Sequence, residues 1–575
     1  MLHPQNKDSR SGAPTYLQDL SVGILESLVF EDTPSPFIPG LSPYATGKMK
    51  FSEDLARGAG IFALLAVADA ALYDQTIKIP QGKLQGAAAF NSSSAPSTIS
   101  NWKDISVWKG IPFAGTTAGE HRWKPPTSAP SWNGTYKATS FGPSCPSQSA
   151  GDGYSEDCLS INIWSPATSA DAKLPVMFWS YAAGGESSQS TYDGGGMAGK
   201  DVVFVSYNFR TGPLGWLTLP ELEDETGVTG NYGLLDQIAA LKWVHENIAA
   251  FGGDPEAITA AGQSFGSGAS YHILNSPLSK GLIKGVIAES GIKDPYDPNM
   301  IGFGSDYRNM TWSMDFGNIF YESLNVSSLA ELRALDVATL LTGTGTTDFT
   351  GFDPVLNNHS IPHKYIVSLE EGAANDVPIL VGNNKDEDGV DLSTSFNVTA
   401  YEQEIISTYG DYAAELLALH PANTTTAATD AYNAIIRAGY CTSTWSFANR
   451  WSKTSDKPIY YYMWSYYPSS SGATHGSEVV YALGNLYAQS STYNETDYAV
   501  SEKMSSYWAN FVKTQNPNKG GSSTNGTLPY WGANVPSQNS QFDLGTYWKK
   551  IPVASSVKEK EILLEYFKSA TPSPY

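Results

Sequence analysis

The stretch ITAAGQSFGSGAS, at residues 258–270, contains a serine within the pentapeptide Gly-x-Ser-x-Gly. The pentapeptide alone does not identify a nucleophile, because this chain of 575 residues is rich in serine and holds 53 glycines. Its surroundings say more: the apolar run AITAAG precedes Ser264, and the segment SGASYHILNS, which can form a helix, follows it. A nucleophile elbow requires this succession of strand, sharp turn and helix, with Gly262 and Gly266 relieving the crowding of the turn. The stretch therefore predicts that Ser264 is a nucleophile presented at the top of a sheet.

Short apolar runs bounded by turn residues recur on both sides of this stretch. They are LPVMFW (174–179), VVFVSY (202–207), GVIAES (285–290), VPILVG (377–382) and IYYYMW (459–464). Most lack the alternation of half-buried strands, which is typical of strands covered on both faces. Helical patterns lie between them, most clearly at 232–251 and again at 559–570. Strands that alternate with helices predict an α/β sheet with helices on both sides.

The composition excludes several classes of function. The formal net charge is −22, the isoelectric point is near 4.7, and Lys and Arg form no cluster. Such a surface repels phosphate backbones and anionic membranes, so we expect no nucleic-acid partner. Three cysteines fit no zinc template, so no metal site is expected. Cys145 and Cys158 enclose 12 residues, a loop that a disulfide could close, and Cys441 is expected to be a buried thiol.

The first 70 residues differ from the rest of the chain. Residues 1–48 are polar and lack a helical or strand period, so we expect a disordered extension or a misplaced start codon. Residues 49–70 resemble a secretory signal peptide cleaved near Ala70, with an ordinary helix as the alternative. The apolar run is shorter than the roughly 20 residues that span a bilayer. The folded domain is then expected at 71–575, with no membrane span.

The sequence also contains nine Asn-x-Ser/Thr sites, where roughly five would be expected by chance. These glycosylation candidates are Asn91, Asn133, Asn309, Asn325, Asn358, Asn397, Asn423, Asn494 and Asn525. Together with the signal-like segment and the possible disulfide, they predict a secreted, extracellular glycoprotein.

A serine nucleophile needs a base and an acid that orients the base. Where a nucleophile elbow comes first in the chain, the acid follows it and the histidine comes last. Of the eight histidines, only His420 and His475 follow a plausible acid. His420 precedes Pro421 and is expected to end a helix. His475 lies in the Gly-flanked loop SGATHGSE after an apolar run, the kind of loop that carries catalytic residues. We predict that His475 is the base.

The acid is expected at a strand end between Ser264 and His475. The segment VPILVGNNKDEDGV offers Asp386, Glu387 and Asp388 just beyond its apolar run. One of the three could orient His475 and stabilise its imidazolium, and the others would be solvated loop charges. Spacing alone does not choose among them.

Several segments of the chain resemble the type-B carboxylesterase family, which includes cholinesterases and long-lid fungal lipases. The resemblance runs from about residue 75 to 570, and EDCL and FGGDP are particularly specific together. Its segments are WKGIPFAG (108–115), SEDCLSINIW (155–164), VSYNFRTGPLGWL (205–217), GNYGLLDQIAALKWVHENIAAFGGDP (230–255), GQSFG (262–266) and THGSE (474–478). The resemblance implies an α/β-hydrolase fold: a single catalytic domain whose large, mostly parallel central sheet is flanked by helices. It also implies a fungal-type secreted carboxylesterase.

The resemblance also assigns the acid and the disulfide. The acid of the family lies five residues after the glycine of a GxxKDE segment, which corresponds to Glu387 here. Asp388 stands where the family usually has glycine, so Asp388 and Asp386 remain lesser candidates. The family likeness suggests that Cys145 and Cys158 form a disulfide.

The oxyanion hole departs from the pattern of the family. Where the family usually reads His-Gly-Gly-Gly, this chain reads SYAAGGE at 180–186. Residue-by-residue matching implies that the backbone N–H groups of Ala183, Gly184 and Phe265 form the hole. The family often has an acidic residue before the nucleophile, where this chain has Gln263. We therefore expect a less negative field behind Ser264.

The loop between the two cysteines distinguishes branches of the family. Its sequence PSQSAGDGYSED is short, polar and free of Trp. This is unlike the long lid of the lipases and unlike the cholinesterase loop, whose Trp holds a cation. We expect a carboxylesterase that cleaves a small ester through an acyl-enzyme, without a metal or organic cofactor.

Two other functions stay open at this point. A lipase or feruloyl-type esterase would share the triad and differ only in the lining of the pocket. A catalytically silent cholinesterase-like adhesion or binding domain would share only the fold. Such silent relatives usually lose the serine or the histidine, and both are present here.

Overall fold

A computed structural model of the chain shows a large central sheet, whose strands lead into the segments that carry the candidate catalytic residues. The structure describes residues 71–147, 153–300, 307–342, 351–387, 396–467, 472–522 and 527–569. These residues lie within one compact unit, Val67–Tyr575. The expected extension at 1–48 and the signal-like segment at 49–70 lie outside the described residues, as do Asp388 and Asn525.

Fourteen strands are assigned in the described ranges. They are β1 (Thr76–Ile79), β2 (Gly82–Gln85), β3 (Ala87–Ala88), β4 (Ser106–Pro112), β5 (Thr135–Lys137), β6 (Ser160–Ser165), β7 (Leu174–Ser180), β8 (Val203–Tyr207), β9 (Gly253–Gln263), β10 (Gly285–Glu289), β11 (Ile379–Asn384), β12 (Ile459–Trp464), β13 (Ser540–Leu544) and β14 (Lys550–Pro552). Strands β1, β2 and β5 form a small sheet, and the other eleven form the central sheet.

The central sheet has the strand order β14-β13-β12-β11-β10-β9-β7-β8-β6-β4-β3. The seven strands from β13 to β8 in this order are parallel, and the pairs at both edges are antiparallel. All residues of β8, β10, β11 and β12 are buried, as expected for parallel strands covered on both faces. The predicted mostly parallel sheet is confirmed, and the five apolar runs form β7, β8, β10, β11 and β12.

Helices cover the central sheet. They are α1 (Gly195–Ala198), α2 (Gly212–Trp216), α3 (Pro220–Thr226), α4 (Tyr232–Asn247), α5 (Phe265–Asn275), α6 (Met310–Ser323), α7 (Leu329–Ala334), α8 (Val337–Thr342), α9 (Tyr365–Glu371), α10 (Val398–Tyr409), α11 (Ala413–Leu419), α12 (Thr425–Thr454), α13 (Val479–Ala482), α14 (Glu495–Thr514) and α15 (Val557–Ser569).

Helix α4 shows how the sequence pattern is modified by packing. Its α-helical part ends at Asn247, and a 3₁₀ turn then leads to Gly252, whose φ of 79° ends the segment as predicted. Most of its residues are buried on all sides because α4 packs against β9, α2 and α5. Asp236 is among them, and its carboxylate is paired with Arg210 at 2.7 Å. The burial of this aspartate could not be predicted from the apolar face of the helix, because it depends on the pairing with Arg210.

The parallel strands bring distant segments together at one edge of the sheet. Strand β9 ends just before Ser264, β11 ends three residues before Glu387, and β12 leads into the loop that carries His475. Because β9, β10, β11 and β12 are consecutive neighbours, their carboxyl ends share the same edge, where α/β proteins place their sites.

The structure confirms the predictions for the cysteines. Cys145 and Cys158 form a disulfide, and Cys441 is a buried free thiol, as predicted. No helix among the described residues is long and apolar enough to cross a membrane.

Candidate active site

Ser264 occupies a sharp turn between β9 and α5. Its backbone has φ 57° and ψ −123°, a conformation that a non-glycine residue adopts only where the surroundings enforce it. The N–H of Ser264 donates to the carbonyl oxygen of Glu289 at 2.9 Å, and the carbonyl of Ser264 accepts from the N–H of Gly268 at 3.0 Å. The side chain is partly exposed. The strand–turn–helix predicted from the sequence is present, with the helix beginning directly after the serine.

The two glycines of the pentapeptide are required by close backbone contacts. A Cβ atom on Gly262 would overlap the carbonyl oxygen of Gly266. A Cβ atom on Gly266 would overlap the carbonyl oxygen of Ser180, at the end of β7. Both obstacles are backbone atoms, which cannot rotate away as a side chain can. The glycines therefore let α5 start against the end of β7.

His475 and Glu387 are joined by a hydrogen bond at this edge of the sheet. Nδ1 of His475 lies 2.6 Å from Oε2 of Glu387, and Oε1 of Glu387 accepts the Asn384 N–H at 2.7 Å. Burial opposes ionisation of Glu387, but the hydrogen bond and charge of His475, helped by Lys293, hold the pKa of this carboxyl below its ordinary value. The Glu387 side chain is 2% exposed and that of His475 is 32% exposed. The ring can therefore meet a substrate while its orienting acid stays out of water.

Asp386, a lesser candidate for the acid, and His420, the other candidate base, have different partners. Asp386 accepts hydrogen bonds from Arg437 and from the N–H of Ala473, both at 3.0 Å. It therefore ties the β11 end to the loop that carries His475. His420 ends α11, as predicted, and its Nε2 lies 2.7 Å from Oε1 of Glu559. Of these residues, Glu387 and His475 are the pair brought together at the elbow.

The ring of His475 stands against the residue before the nucleophile. Its Nε2 lies 3.2 Å from the side-chain nitrogen of Gln263. With Nδ1–H donating to Glu387, Nε2 is the acceptor and the Gln263 amide is the donor. Nε2 of His475 therefore lies next to the elbow as a hydrogen-bond acceptor.

The three predicted oxyanion donors lie beside the elbow. Ala183 and Gly184 form an exposed turn after β7, and Phe265 is the first residue of α5. Gly184 has a φ of 71°, so the left-handed conformation falls on glycine, and Ala183 keeps a negative φ. Within the described ranges, no acceptor is assigned to the N–H groups of these three residues. They remain available for a substrate oxygen.

Aromatic rings connect the two sides of this donor set. Tyr181, next to the turn, stacks on Phe209 with ring centroids 4.5 Å apart. Phe209 stacks in turn on Phe265 at 6.3 Å, and Trp216 contacts the edge of Phe265 at 6.2 Å. The rings hold the β7 end and the start of α5 in a fixed relation.

Two buried carboxyl groups near the elbow were missed by the sequence reasoning. Glu289 and Glu478 are both fully buried. Burial and the charge of Glu478 raise the pKa of Glu289 well above its ordinary value. Burial and the charge of Glu387 raise the pKa of Glu478 to about 7. The expectation of a less negative field behind Ser264 considered only Gln263 and overlooked both groups. A glutamate inside the apolar run GVIAES was the available signal.

A metal site is absent from the part of the chain that the structure describes. No group of three or more His, Cys, Asp or Glu side chains there is arranged to hold a metal ion. The chemistry available at the elbow is that of a hydroxyl, an imidazole, a carboxylate and backbone N–H donors.

Comparisons with known proteins match this arrangement. The model of the carboxylesterase family matches residues 73–561. The chain is 31% identical over 458 residues to a fumonisin B1 esterase of Sphingopyxis macrogoltabida, covering 72% of this chain and 80% of the relative. It is 30% identical over 440 residues to a para-nitrobenzyl esterase of Bacillus subtilis (strain 168), covering 72% and 87%.

Solved structures show the same likeness. A PNB esterase superposes with a TM-score of 0.68 at 26% identity, covering 85% of this chain and 99% of the other. A carboxylesterase of Geobacillus stearothermophilus gives a TM-score of 0.67 with the same identity and coverage. The chain therefore shares its fold with these proteins nearly throughout their length.

Proposed function

The chain belongs to the carboxylesterase family and has its α/β-hydrolase fold, and from this premise we propose that Ser264, His475 and Glu387 carry out its reaction. The protein is a carboxylic ester hydrolase, as its family and relatives show. The proposal concerns which residues perform the hydrolysis and which esters are cleaved.

The first half-reaction forms an acyl-enzyme. Oγ of Ser264 attacks the ester carbonyl carbon while Nε2 of His475 takes the hydroxyl proton. The carbonyl electron pair moves onto oxygen, and the N–H groups of Ala183, Gly184 and Phe265 bind the resulting oxyanion. When the intermediate collapses, the bond to the alkoxy group breaks, and His475 gives its proton to the departing alcohol.

The second half-reaction releases the acid. His475 takes a proton from water, the hydroxide oxygen attacks the acyl carbon, and the proton returns to Ser264 as the acid leaves. Glu387 stabilises the imidazolium in both halves and keeps the ring in the tautomer with Nδ1–H. Apart from the attacking water, every group in the scheme belongs to this chain or the ester, so the proposal invokes no metal and no organic cofactor.

One observation carries the assignment. The His475–Glu387 pair, joined at 2.6 Å, stands against Gln263, the residue that directly precedes the strained Ser264. Gln263 and His475 are 212 positions apart in sequence and are brought together by the parallel strands. This position beside the nucleophile is the one that a general base requires.

The test compares Ser264→Ala with Ser270→Ala. Ser270 lies in α5, and its hydroxyl donates to the carbonyl of Gly266 at 3.1 Å, so it serves as a matched control in the same helix. With p-nitrophenyl acetate, we expect the wild type and Ser270→Ala to release p-nitrophenol and Ser264→Ala to lose the initial burst. A burst that persists in Ser264→Ala would overturn the assignment.

Small, soluble carboxylic esters are the proposed substrates. The short polar loop between the cysteines supports this, as does the para-nitrobenzyl esterase among the relatives. Some relatives are named bile salt-activated lipase, so the alternative that this chain is a lipase activated at a lipid interface is also tested. We expect hydrolysis of a p-nitrophenyl ester series to rise smoothly through the solubility limit of the longer esters. A jump in rate at that limit would favour a lipase, and preferential cleavage of a feruloyl ester would favour a feruloyl-type esterase.

Secretion is also part of the proposal. Seven of the eight glycosylation candidates in the described ranges are exposed, and Asn309 is half-buried. These exposed asparagines and the Cys145–Cys158 disulfide support passage through an oxidising secretory route. Expression of residues 49–575 in a yeast host should place the protein in the medium, with a mass that falls on treatment with an endoglycosidase. Retention inside the cell without glycan would contradict it.

A further inference from the structure

Glu289 and Glu478 are buried carboxyl groups that form no ion pair with a lysine or arginine among the described residues. Glu289 ends β10, and Glu478 directly precedes α13. Both are 0% exposed, and neither forms an ion pair in the described part of the chain. Oε1 of Glu289 accepts from the indole N–H of Trp508 at 2.7 Å, and Oε2 of Glu478 accepts from the side-chain amide of Asn384. The other oxygen of each carboxyl has no hydrogen-bond partner among the described residues.

The two groups are connected to the catalytic residues from both sides. Glu289 is the register neighbour of Gln263 across β9 and β10, and its carbonyl accepts the N–H of Ser264. Asn384 links Glu478 to the other side: its side chain donates to Glu478 and to the carbonyl of Thr474, next to His475. The backbone N–H of the same residue donates to Glu387.

The surroundings of the pair are mostly uncharged. The titratable groups that interact electrostatically with it are Glu387, His475, Tyr192 and Tyr462. Glu387 is already charged through its pairing with His475. Two further carboxylates in this dry region would repel each other and Glu387, and no lysine or arginine among the described residues forms an ion pair with either one. Interacting carboxyl groups in such a place release their protons in two separated steps that belong to the pair.

We propose that Glu289 and Glu478 together carry a single proton, on one or the other carboxyl, and so keep a single negative charge behind His475 throughout the reaction. This inference rests on the proposed function, because the charge acts by stabilising the imidazolium that forms each time His475 takes a proton. Neither group touches the substrate, so both are positioning residues that act through His475. The negative charge that Gln263 does not supply comes from the neighbouring strand and from the His475 loop.

The protonation state can be measured without any assay of activity. Infrared spectra of the wild type and of Glu289→Gln/Glu478→Gln are recorded at pH 8, and one is subtracted from the other. The difference should contain one carboxylic acid C=O band and one carboxylate band, because other acidic groups cancel. Two carboxylate bands, or two acid bands, would overturn the shared proton. This result does not depend on whether Ser264 is the nucleophile.

The kinetic consequence is a loss that is not additive. Each single variant, Glu289→Gln or Glu478→Gln, keeps one carboxyl that can remain ionised at pH 8, whereas the double variant has none. We expect kcat of the double variant to fall by about tenfold or more beyond the product of the two single losses, within the range of coupled neighbours. KM should stay within about threefold, because neither group touches substrate. A double variant with wild-type kcat, or with additive losses, would contradict the proposal.

A folding defect can be separated from these outcomes. Glutamine is nearly isosteric with glutamate, and removal of an uncompensated buried charge tends to be neutral or stabilising. The double variant should therefore melt no lower than the wild type. If it fails to fold, Glu289→Gln alone decides the question, because its spectrum at pH 8 should lack the acid band, and an unchanged band would overturn the proposal.

Discussion

At the residue scale, the Glu387 carboxylate is fixed through both of its oxygens. One accepts the N–H of Asn384 and the other faces Nδ1 of His475. The backbone contact sets the position of the carboxylate, and the ring contact sets the tautomer of the base. Glu387 therefore acts on the reaction only through the orientation and charge of His475.

The first prediction concerns the substitution Glu387→Gln. An amide in this place would hold His475 less firmly and would not stabilise its imidazolium, so we expect kcat to fall by about 10²–10⁴ with KM little changed. Steady-state hydrolysis of p-nitrophenyl acetate measures both constants.

Asp386→Asn is the matched control for this prediction. It removes a carboxylate one position away that is paired with Arg437 instead. We expect it to lower the free energy of unfolding by about 1–2 kcal/mol, since this pair is partly exposed, and to change kcat far less than Glu387→Gln does. If Asp386→Asn abolished kcat while Glu387→Gln spared it, the acid would be Asp386.

The second prediction follows from the pKa of Glu387. Burial raises it, but His475 and Lys293 together bring it below the ordinary value of 4.5. The native state thus binds this proton more weakly than the unfolded chain, so ionised Glu387 contributes stability above pH 4.5 that is lost as the pH falls through the lowered pKa. In urea unfolding, the stability of the wild type relative to Glu387→Gln should therefore decline as the pH is lowered below that value. A difference independent of pH would contradict the assigned shift.

At the element scale, the junction of β7, β9 and α5 holds the nucleophile. The helix begins directly at the residue after Ser264, and its first turn lies against the end of β7. This close approach brings the start of α5 against the backbone of Ser180 and Tyr181, just before the turn that carries Ala183 and Gly184. A small displacement of α5 would therefore move Ser264 and Phe265 relative to Ala183 and Gly184.

The third prediction tests this junction with Gly266→Ala. The added Cβ would overlap the carbonyl of Ser180, so the helix must move or the protein must lose stability, by about 1–3 kcal/mol for overpacking of this kind. Activity should fall with it. Gly153→Ala is the control, because a Cβ there meets nothing within 4 Å. Thermal melting and kcat are measured for both variants. If Gly266→Ala had the same melting temperature and kcat as Gly153→Ala, the predicted overlap at this junction would be wrong.

The elements also show which features were readable from sequence. The apolar runs predicted the central strands, and the Gly-x-Ser-x-Gly stretch predicted the elbow, because both are local patterns. The contact of His475 with Gln263 and the burial of Glu289 against Trp508 join residues more than 200 positions apart. Such contacts depend on strand order, which no local pattern encodes. The choice of Glu387 over Asp386 came from the family resemblance, since spacing left both open.

At the scale of the whole molecule, one disulfide closes a loop on the antiparallel side of the sheet. Cys145 and Cys158 are both buried, and Cys158 lies two residues before the first residue of β6, Ser160. The cross-link restricts the unfolded chain over this segment, which is the main origin of its stabilising effect in the loop-entropy account.

The fourth prediction is that Cys145→Ser/Cys158→Ser lowers the free energy of unfolding by about 3 kcal/mol. Urea denaturation without reductant measures this loss. Added reductant should destabilise the wild type and leave the stability of the double variant unchanged. Equal stability of the two proteins without reductant would mean that the cross-link does not constrain the unfolded chain.

The proposed mechanism depends most directly on which atom attacks the ester. A fluorophosphonate reacts with an activated serine to form a stable covalent adduct, and peptide mass spectrometry locates it. We expect a single adduct on Ser264, absent from Ser264→Ala and strongly slowed in His475→Ala. An adduct on another residue, or labelling of Ser264 that does not depend on His475, would contradict the assignment of the triad.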